Sequence, residues 1–488
     1  MEEERSGDSK LVMPAVGGSL AQHVVLTGIL VIAGCILGSL SVKASPLYLL
    51  AVSGVFLGVL LIYVDRIYGV IMLTALSFVN PSLLPALYEF GEFTLRLNDV
   101  AFYFMVALTF ARIGAKGKSL CMSKEVSRVF LSLLLFLGYI ALTLFNVHLL
   151  HPDSLTRSVA SFTRLAQYVS IAYVIFMIFE RDRQIKRFLL FFALGAIVSV
   201  IIGAYHVAET DVPLEYLHEG GVLGKNSFGL VSGLLFVLGA VQYKERLFRW
   251  RAVCYIFLIF GFLGLFLSKS ISSTLATVVT LAIYRLVFFK RDILTIVRLS
   301  WLVALAGTVF VLLLYSFRPD DIEGLMLGSG GSLVFRLVMA MAGIDIFKEH
   351  PIVGVGWQLS SLPEVIGDTN IGRSLRSLPF NVPEYYFPDV AATSVHNLYV
   401  QILAELGIIG MIVFLWMTFQ IGQVVVKVIR AFPEGSPLKV YGRFFGLALI
   451  FLLTWWNTNP LYGGQIETFL FFTFLGVLLA LPRISQRC

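Results

Sequence analysis

The sequence predicts an all-α fold, a polytopic transmembrane bundle of about 12–14 helices with one large, partly helical extracytoplasmic loop. Three observations lead there. Hydrophobic residues make up 58% of the 488-residue chain and charged residues only 14%, against about 25% in soluble domains. Apolar runs of about 20 residues, the length that spans a bilayer, recur from one end of the chain to the other. Lys and Arg gather in nearly every second connection between those runs. The same composition excludes a string of soluble domains, a disordered chain, a collagen-like repeat and a small disulfide scaffold.

In chain order, residues 1–22 are polar and carry Glu2, Glu3 and Glu4. They lack the basic start and cleavage site of a signal peptide, so the first apolar run is expected to be an uncleaved anchor behind a cytoplasmic tail. About fourteen helices are expected, near 23–42, 46–64, 67–87, 97–113, 127–150, 157–180, 186–206, 222–242, 251–268, 270–289, 294–316, 396–426, 440–458 and 463–482. Asn80-Pro81 interrupts the third, and Lys269-Ser270 divides the ninth from the tenth. With the N-terminus inside, 26 of the 37 Lys and Arg residues fall on inside segments, whereas the short outside loops hold only Lys43, Arg96, Arg157 and Lys269. This alternation predicts an even helix count and a cytoplasmic tail at 483–488. The net charge of +7 therefore reports loop orientation, and no nucleic-acid partner is expected. Cys35, Cys121, Cys254 and Cys488 form neither a disulfide framework nor a metal-ligand spacing.

One connection differs from the rest. Residues 317–394 separate the bundle at 23–316 from the C-terminal helices at 395–482 and lie outside in this topology. The segment is Gly/Ser/Pro-rich at 328–332 and across 351–389, and Ser332–Phe347 between them reads as an amphipathic helix. Its apolar and aromatic residues, including Phe335, Trp357, Phe380, Tyr385, Tyr386 and Phe387, are too many for disorder. A loop of this length that is not disordered is usually functional, and a folded cap over the bundle is expected.

Ionisable groups inside apolar helices are costly and point to function. Arg164 lies seven residues beyond Arg157, roughly 10 Å along a helix. It either snorkels outward or, with Ser161, Thr163 and Gln167 around it, serves a site. Lys225 follows a glycine-rich stretch and precedes Asn226 at a helix start, where free N–H groups suit phosphate; an interfacial anchor is the plainer reading. Lys269 opens the hydroxyl-rich run Lys-Ser-Ile-Ser-Ser-Thr at 269–274, for which helix capping is the alternative. Arg336 has apolar neighbours, and its planar fork of donors matches phosphate oxygens; a salt bridge to Asp345 or Glu349 is the alternative. His396 stands at the start of a helix beside the long loop, where an imidazole suits general base work, although a lone histidine is more often structural. Glu405, nine residues on, falls on the opposite helix face and is expected to pack or to hydrogen-bond. The remaining histidines show no metal pattern, and no metal or cofactor is expected.

These residues resemble a known family. His396-Asn397, nine residues, Gly407, two residues and Gly410 are similar to the H-N-x9-G-x-x-G signature of the bacterial O-antigen ligase and O-antigen polymerase superfamily. Arg336 and the segment Pro351-Ile-Val-Gly354-Val-Gly356 resemble that family's arginine block. Gly224-Lys225-Asn226-Ser-Phe-Gly229 and Leu267-Ser-Lys-Ser270 resemble motifs of its exopolysaccharide polymerase branch. The resemblance spans about residues 220–410; the first 200 residues match in hydropathy alone, and the family's ligases usually have fewer helices.

The resemblance implies an inverting, metal-independent glycosyltransferase of the bacterial inner membrane. Its donor would be an undecaprenyl-diphosphate-linked oligosaccharide, its acceptor a growing glycan or lipid A-core, and a chain-length regulator an accessory partner. Arg336, Arg164, Lys225 and Lys269 would hold the departing diphosphate, His396 would deprotonate the acceptor hydroxyl, and Asn226 and Asn397 would support them. Polymerisation is the reading preferred here, because of the lysine-asparagine patch, with ligation as the alternative. Two other classes compete. A lipid-linked oligosaccharide flippase would show internal repeats and helices broken near mid-membrane, and a non-catalytic scaffold would leave the buried arginine unexplained.

Overall fold

The computed structural model describes residues 66–78, 86–90, 93–96, isolated positions of 99–109, 122–209, 225–288 except 249, 331–367, 369, 395–461 and 466–486. The expected helices at 23–42, 46–64 and 294–316, both tails' outer residues and the aromatic stretch 380–387 lie outside them, as does most of 97–113.

The described elements begin with α1 (Ile67–Ser77) and a hairpin of β1 (Ala86–Phe90) and β2 (Phe93–Arg96). Four long helices follow: α2 (Lys124–Leu150), α3 (Leu155–Ile178), α4 (Asp182–Glu209) and α5 (Lys225–Glu245). Then come α6 (Ala252–Ser268), α7 (Ile271–Phe288), α8 (Gly331–Glu349) and the short α9 (Pro363–Gly367). The chain closes with α10 (Leu398–Ala431), α11 (Pro437–Trp455) and α12 (Ile466–Ser485). Among the described residues nine helices, α2 to α7 and α10 to α12, are long and apolar enough to cross a membrane. They coincide with nine of the expected spans, and the chain is a multi-pass helical bundle.

Two local expectations meet the structure directly. The division at Lys269 is real: Lys269 takes a left-handed φ of 46° and ends α6, and the Ser270 hydroxyl accepts from the Ser273 N–H at 3.4 Å to start α7. The helix expected over 67–87 is corrected. It stops at Ser77, and Ala86–Phe90 pairs antiparallel with Phe93–Arg96. Pro81 and Pro85 cannot continue a helix, since each lacks an N–H and restricts the residue before it. The Ala-Leu-Tyr-Glu-Phe that follows, with two aromatic residues, suits a strand. This hairpin is the one β element among the described residues of an otherwise all-α fold.

Burial follows from position in the bundle. α12 is enclosed: Leu470, Phe474, Leu475 and Leu478 are buried, and the Phe474 ring meets Phe188, Phe192, Phe444 and Phe445. Helices α2, α4 and α6 instead turn Leu142, Phe145, Leu194 and Phe262 outward, as helices whose solvent is lipid can.

The polar ends of several described helices collect in two places. At one end Arg443 of α11 bonds Glu245 of α5 at 2.8 Å and Glu434 at 2.8 Å, while Lys427 of α10 pairs with Glu125 of α2 at 3.0 Å. The other end holds the starts of α5, α7 and α10, and α8 packs beside them.

The feature that orders this second end is a break in α10. Gly407 has φ 65° and ψ −167° inside the helix. Residues 404 and 405 therefore do not accept from 408 and 409 in the helical manner. The segment after α8 fills both halves of the gap. Ile408 N–H donates to Pro351 O at 2.9 Å and Ile409 N–H to Ile352 O at 3.3 Å; Val355 N–H donates to Ala404 O at 3.0 Å and Gly356 N–H to Glu405 O at 2.9 Å. Four backbone groups that the break frees from the helix are thus paired.

Candidate functional site

The site is assembled from the starts of α5, α7 and α10 and from the side of α8. Asn397 caps α10: its Oδ1 accepts from the N–H groups of Tyr399 at 3.0 Å and Val400 at 3.1 Å. Its amide donates to Asn457 O at 2.7 Å, tying the helix start to the turn after α11. His396 precedes that cap and is half-buried. α8 runs alongside, and at Gly343 the approach is close, since a Cβ there would lie 2.8 Å from Val395 and from Val400. This contact brings the Arg336 helix to the residue before His396.

Arg336 is half-buried. Its Nη1 donates to Ser272 Oγ at 2.6 Å and its Nη2 to Asn226 Oδ1 at 3.5 Å. Asp345, a carboxylate on the same helix, pairs with Lys348 at 3.0 Å. Among the described residues no carboxylate bonds Arg336. Burial lowers the guanidinium pKa from its usual value, yet an arginine stays charged in proteins. A partly desolvated cation without an anionic neighbour is a place where an anion gains binding energy.

Burial also pushes the His396 imidazole down to about 4, and the nearby positive charge of Arg336 adds to the shift. At neutral pH the ring is therefore uncharged and has a lone pair to accept a proton. An anion bound at Arg336 acts in the opposite sense, because it offsets the cation and makes the imidazole a stronger base.

The hydroxyl-rich turn between α6 and α7 forms the floor. Ser270 Oγ lies 3.0 Å from Ser273 Oγ, and the Trp455 indole donates to Ser273 Oγ at 3.1 Å. A Cβ on Gly229 would lie 2.7 Å from the Ser270 side chain, so glycine at this position lets α5 approach the turn. Lys269 is exposed on the same turn, and Lys225 is the first residue of α5, next to Asn226.

The structure thus brings together Arg336, His396, Asn226 and Asn397, with Lys225 and Lys269 on the elements that carry them. Arg164 stands apart in its bonding: its Nη1 meets Asp99 Oδ1 at 2.9 Å, and Gln167 donates to the same oxygen at 3.1 Å. Sequence reasoning missed Ser272 as the partner of Arg336, although it sits in the hydroxyl-rich run already marked. It also missed Asp99, which no spacing connects to Arg164. Glu405 follows expectation: it does not face His396 but accepts hydrogen bonds from Ser360 and from Gln401. Among the described residues no three His, Cys, Asp or Glu side chains come close enough to hold a metal ion.

Residues 256–415 match the family model described as O-antigen ligase. The stretch holds Lys269, Ser272, Arg336, the Pro351–Gly356 segment, His396, Glu405 and Gly407, and the match supports the O-antigen ligase and polymerase superfamily. No curated protein matches the chain.

Proposed function

We propose that this multi-pass membrane protein, similar over residues 256–415 to the O-antigen ligases, polymerises undecaprenyl-diphosphate-linked oligosaccharide units into O-antigen or exopolysaccharide. The reaction takes place at the periplasmic face of the bacterial inner membrane. The observation that carries this reading is the pairing of Arg336, a cation with no carboxylate on it among the described residues, with a neutral His396 beside it.

The donor's long lipid tail lies in the bilayer, which leaves its diphosphate at the interface where Arg336 sits. His396 takes the proton from an acceptor hydroxyl. The acceptor oxygen forms a bond to the anomeric carbon from the side opposite the diphosphate, and the carbon–oxygen bond to the diphosphate breaks. The departing lipid diphosphate keeps the electron pair, and Arg336 stabilises the charge as it grows, helped by Lys225, Lys269 and Arg164. Attack from the opposite side inverts the anomeric centre. Asn226 orients Arg336, and Asn397 holds the helix start from which His396 projects. The basic residues at the far end of the bundle, among them Arg443 and Lys427, support a cytoplasmic position for that end.

Ligation of a finished glycan to lipid A-core is the second reading, favoured by the description of the matching family. A reconstitution with purified protein in lipid nanodiscs and lipid-linked repeat units separates the two. Long products from donor alone mean polymerisation; products that need added lipid A-core mean ligation. His396→Ala and Arg336→Ala abolish both while the protein remains folded and inserted. Wild-type product from either variant would end the glycosyltransferase reading of this pair.

A further inference from the structure

We propose that Glu405 is a positioning residue. It pins the segment after the Arg336 helix into the break of the His396 helix and so sets the register of the guanidinium against the imidazole. The inference rests on reading those two residues as the reacting pair.

Glu405, Ser360 and Gln401 are each 0% exposed. One carboxylate oxygen of Glu405 accepts from the Ser360 hydroxyl and from Gln401 Nε2 at 3.2 Å, and the other accepts from Gln401 Nε2 at 3.3 Å. Gln401 is itself oriented, since its Oε1 accepts from the Leu461 N–H at 2.9 Å. Beside Ser360, Ser361 accepts from Arg157 at 3.0 Å, Trp357 Nε1 donates to Ser161 at 3.2 Å, and Trp357 O accepts from Ser158 at 2.7 Å. The stretch Trp357–Ser361 is therefore bonded to α3 on one side and, through Glu405, to α10 on the other.

The chemistry selects a carboxylate. Donors converge on Glu405 from Ser360 and Gln401, and a carboxyl group offers two oxygens to receive them. An ionisable group at a helix break inside a bundle is costly, and such groups persist where function needs them. Here the need is mechanical. Glu405 lies two residues before Gly407, where the Pro351–Gly356 backbone completes the broken helix. From that clasp α8 runs back to Arg336 over 13 residues counted from Glu349, a lever of about 20 Å. A tilt of about 3° at the clasp moves the tip by about 1 Å, and a misplacement of that size costs about 100-fold in rate.

The test uses full-length protein in nanodiscs. Glu405→Ala is expected to lower kcat by about 10- to 100-fold with KM changed less than about 3-fold, and Ser360→Ala by about 5-fold. The exchange Gln401→Glu with Glu405→Gln restores an amide–carboxylate pair and recovers most of the lost rate. A second readout needs no turnover: nitroxide labels at Met341→Cys and Ile412→Cys, both exposed, in a background without native cysteines. Wild type gives one narrow distance distribution, and Glu405→Ala and Ser360→Ala broaden or shift it. Should Glu405→Ala fail to fold, Ser360→Ala alone decides. Unchanged distances, or an exchange variant as slow as Glu405→Ala, overturn the proposal. Distances that respond while His396→Ala still polymerises leave the positioning intact and remove the reading of His396.

Discussion

The backbones of Gly407 and Gly354 lie directly against each other: a Cβ on Gly407 would fall 2.7 Å from the Gly354 amide nitrogen, and the two have φ of 65° and 71°. Two glycines more than fifty residues apart in sequence thus join their motifs into one object. The glycine of the H-N-x9-G-x-x-G pattern breaks α10, and the Pro351–Gly356 segment occupies the break.

Gly407→Ala and Gly354→Ala are expected to destabilise the protein by at least about 2 kcal/mol each, since both add a strained left-handed residue and a backbone overlap. Together they should cost less than the sum of the two, because each disrupts the same clasp. Thermal unfolding in detergent measures this.

Arg336→Lys keeps the charge and loses the planar fork, so kcat should fall by about 100-fold with little change in unfolding temperature. Arg336→Met should be inactive yet as stable as wild type or more so, because it removes a desolvated charge that no carboxylate bonds among the described residues. A large drop in unfolding temperature would show that Arg336 holds the fold together instead.

The pH response has a definite sign. The folded His396 sits at about 4, below its ordinary 6.5, so between those values the unfolded chain binds more protons than the folded one. Stability contributed by the neutral ring is complete above about 6.5 and is lost as pH falls toward 4. His396→Asn should flatten that acid-side loss in a melting series from pH 7 to pH 4. The acid limb of kcat/KM, which reports the free protein, should lie well below 6.5, while that of kcat lies higher because bound diphosphate offsets Arg336.

Asp99→Asn and Arg164→Gln should each lower stability by about 2–4 kcal/mol, since the pair's side chains are only 2% and 16% exposed. A double-mutant cycle should give a coupling of about 1–3 kcal/mol. If Arg164 also holds diphosphate, Asp99→Asn leaves it charged and changes KM less than Arg164→Gln does.

Topology is checked with single cysteines in a background without native ones. A membrane-impermeant maleimide should reach Lys269→Cys from outside spheroplasts and reach Arg246→Cys only after lysis. The reverse pattern would put the candidate site in the cytoplasm.

Much of this protein is legible without coordinates, because a membrane span is a local property: about 20 apolar residues announce themselves wherever the chain later places them. The nine described spans, the division at Lys269 and the helix around Arg336 could all be read in this way. So could the choice of Arg336 and His396 as candidates, through residue types and motif order. The hairpin at 86–96 escaped because an apolar run reads the same in a helix and in a strand, and the interruption at Asn80-Pro81 reads as a break within one helix.

What the sequence by itself determined is which segments are helical and which side chains are too costly to bury without a purpose. The tertiary structure alone decided that Ser272 and Asn226 hold the guanidinium, that Arg164 pairs with Asp99, and that Glu405 faces Ser360. The physical reason is that a hydrogen bond across a bundle depends on helix register and rotation, set by the close contacts at Gly343, Gly354 and Gly407. No spacing along the chain encodes which two faces will meet.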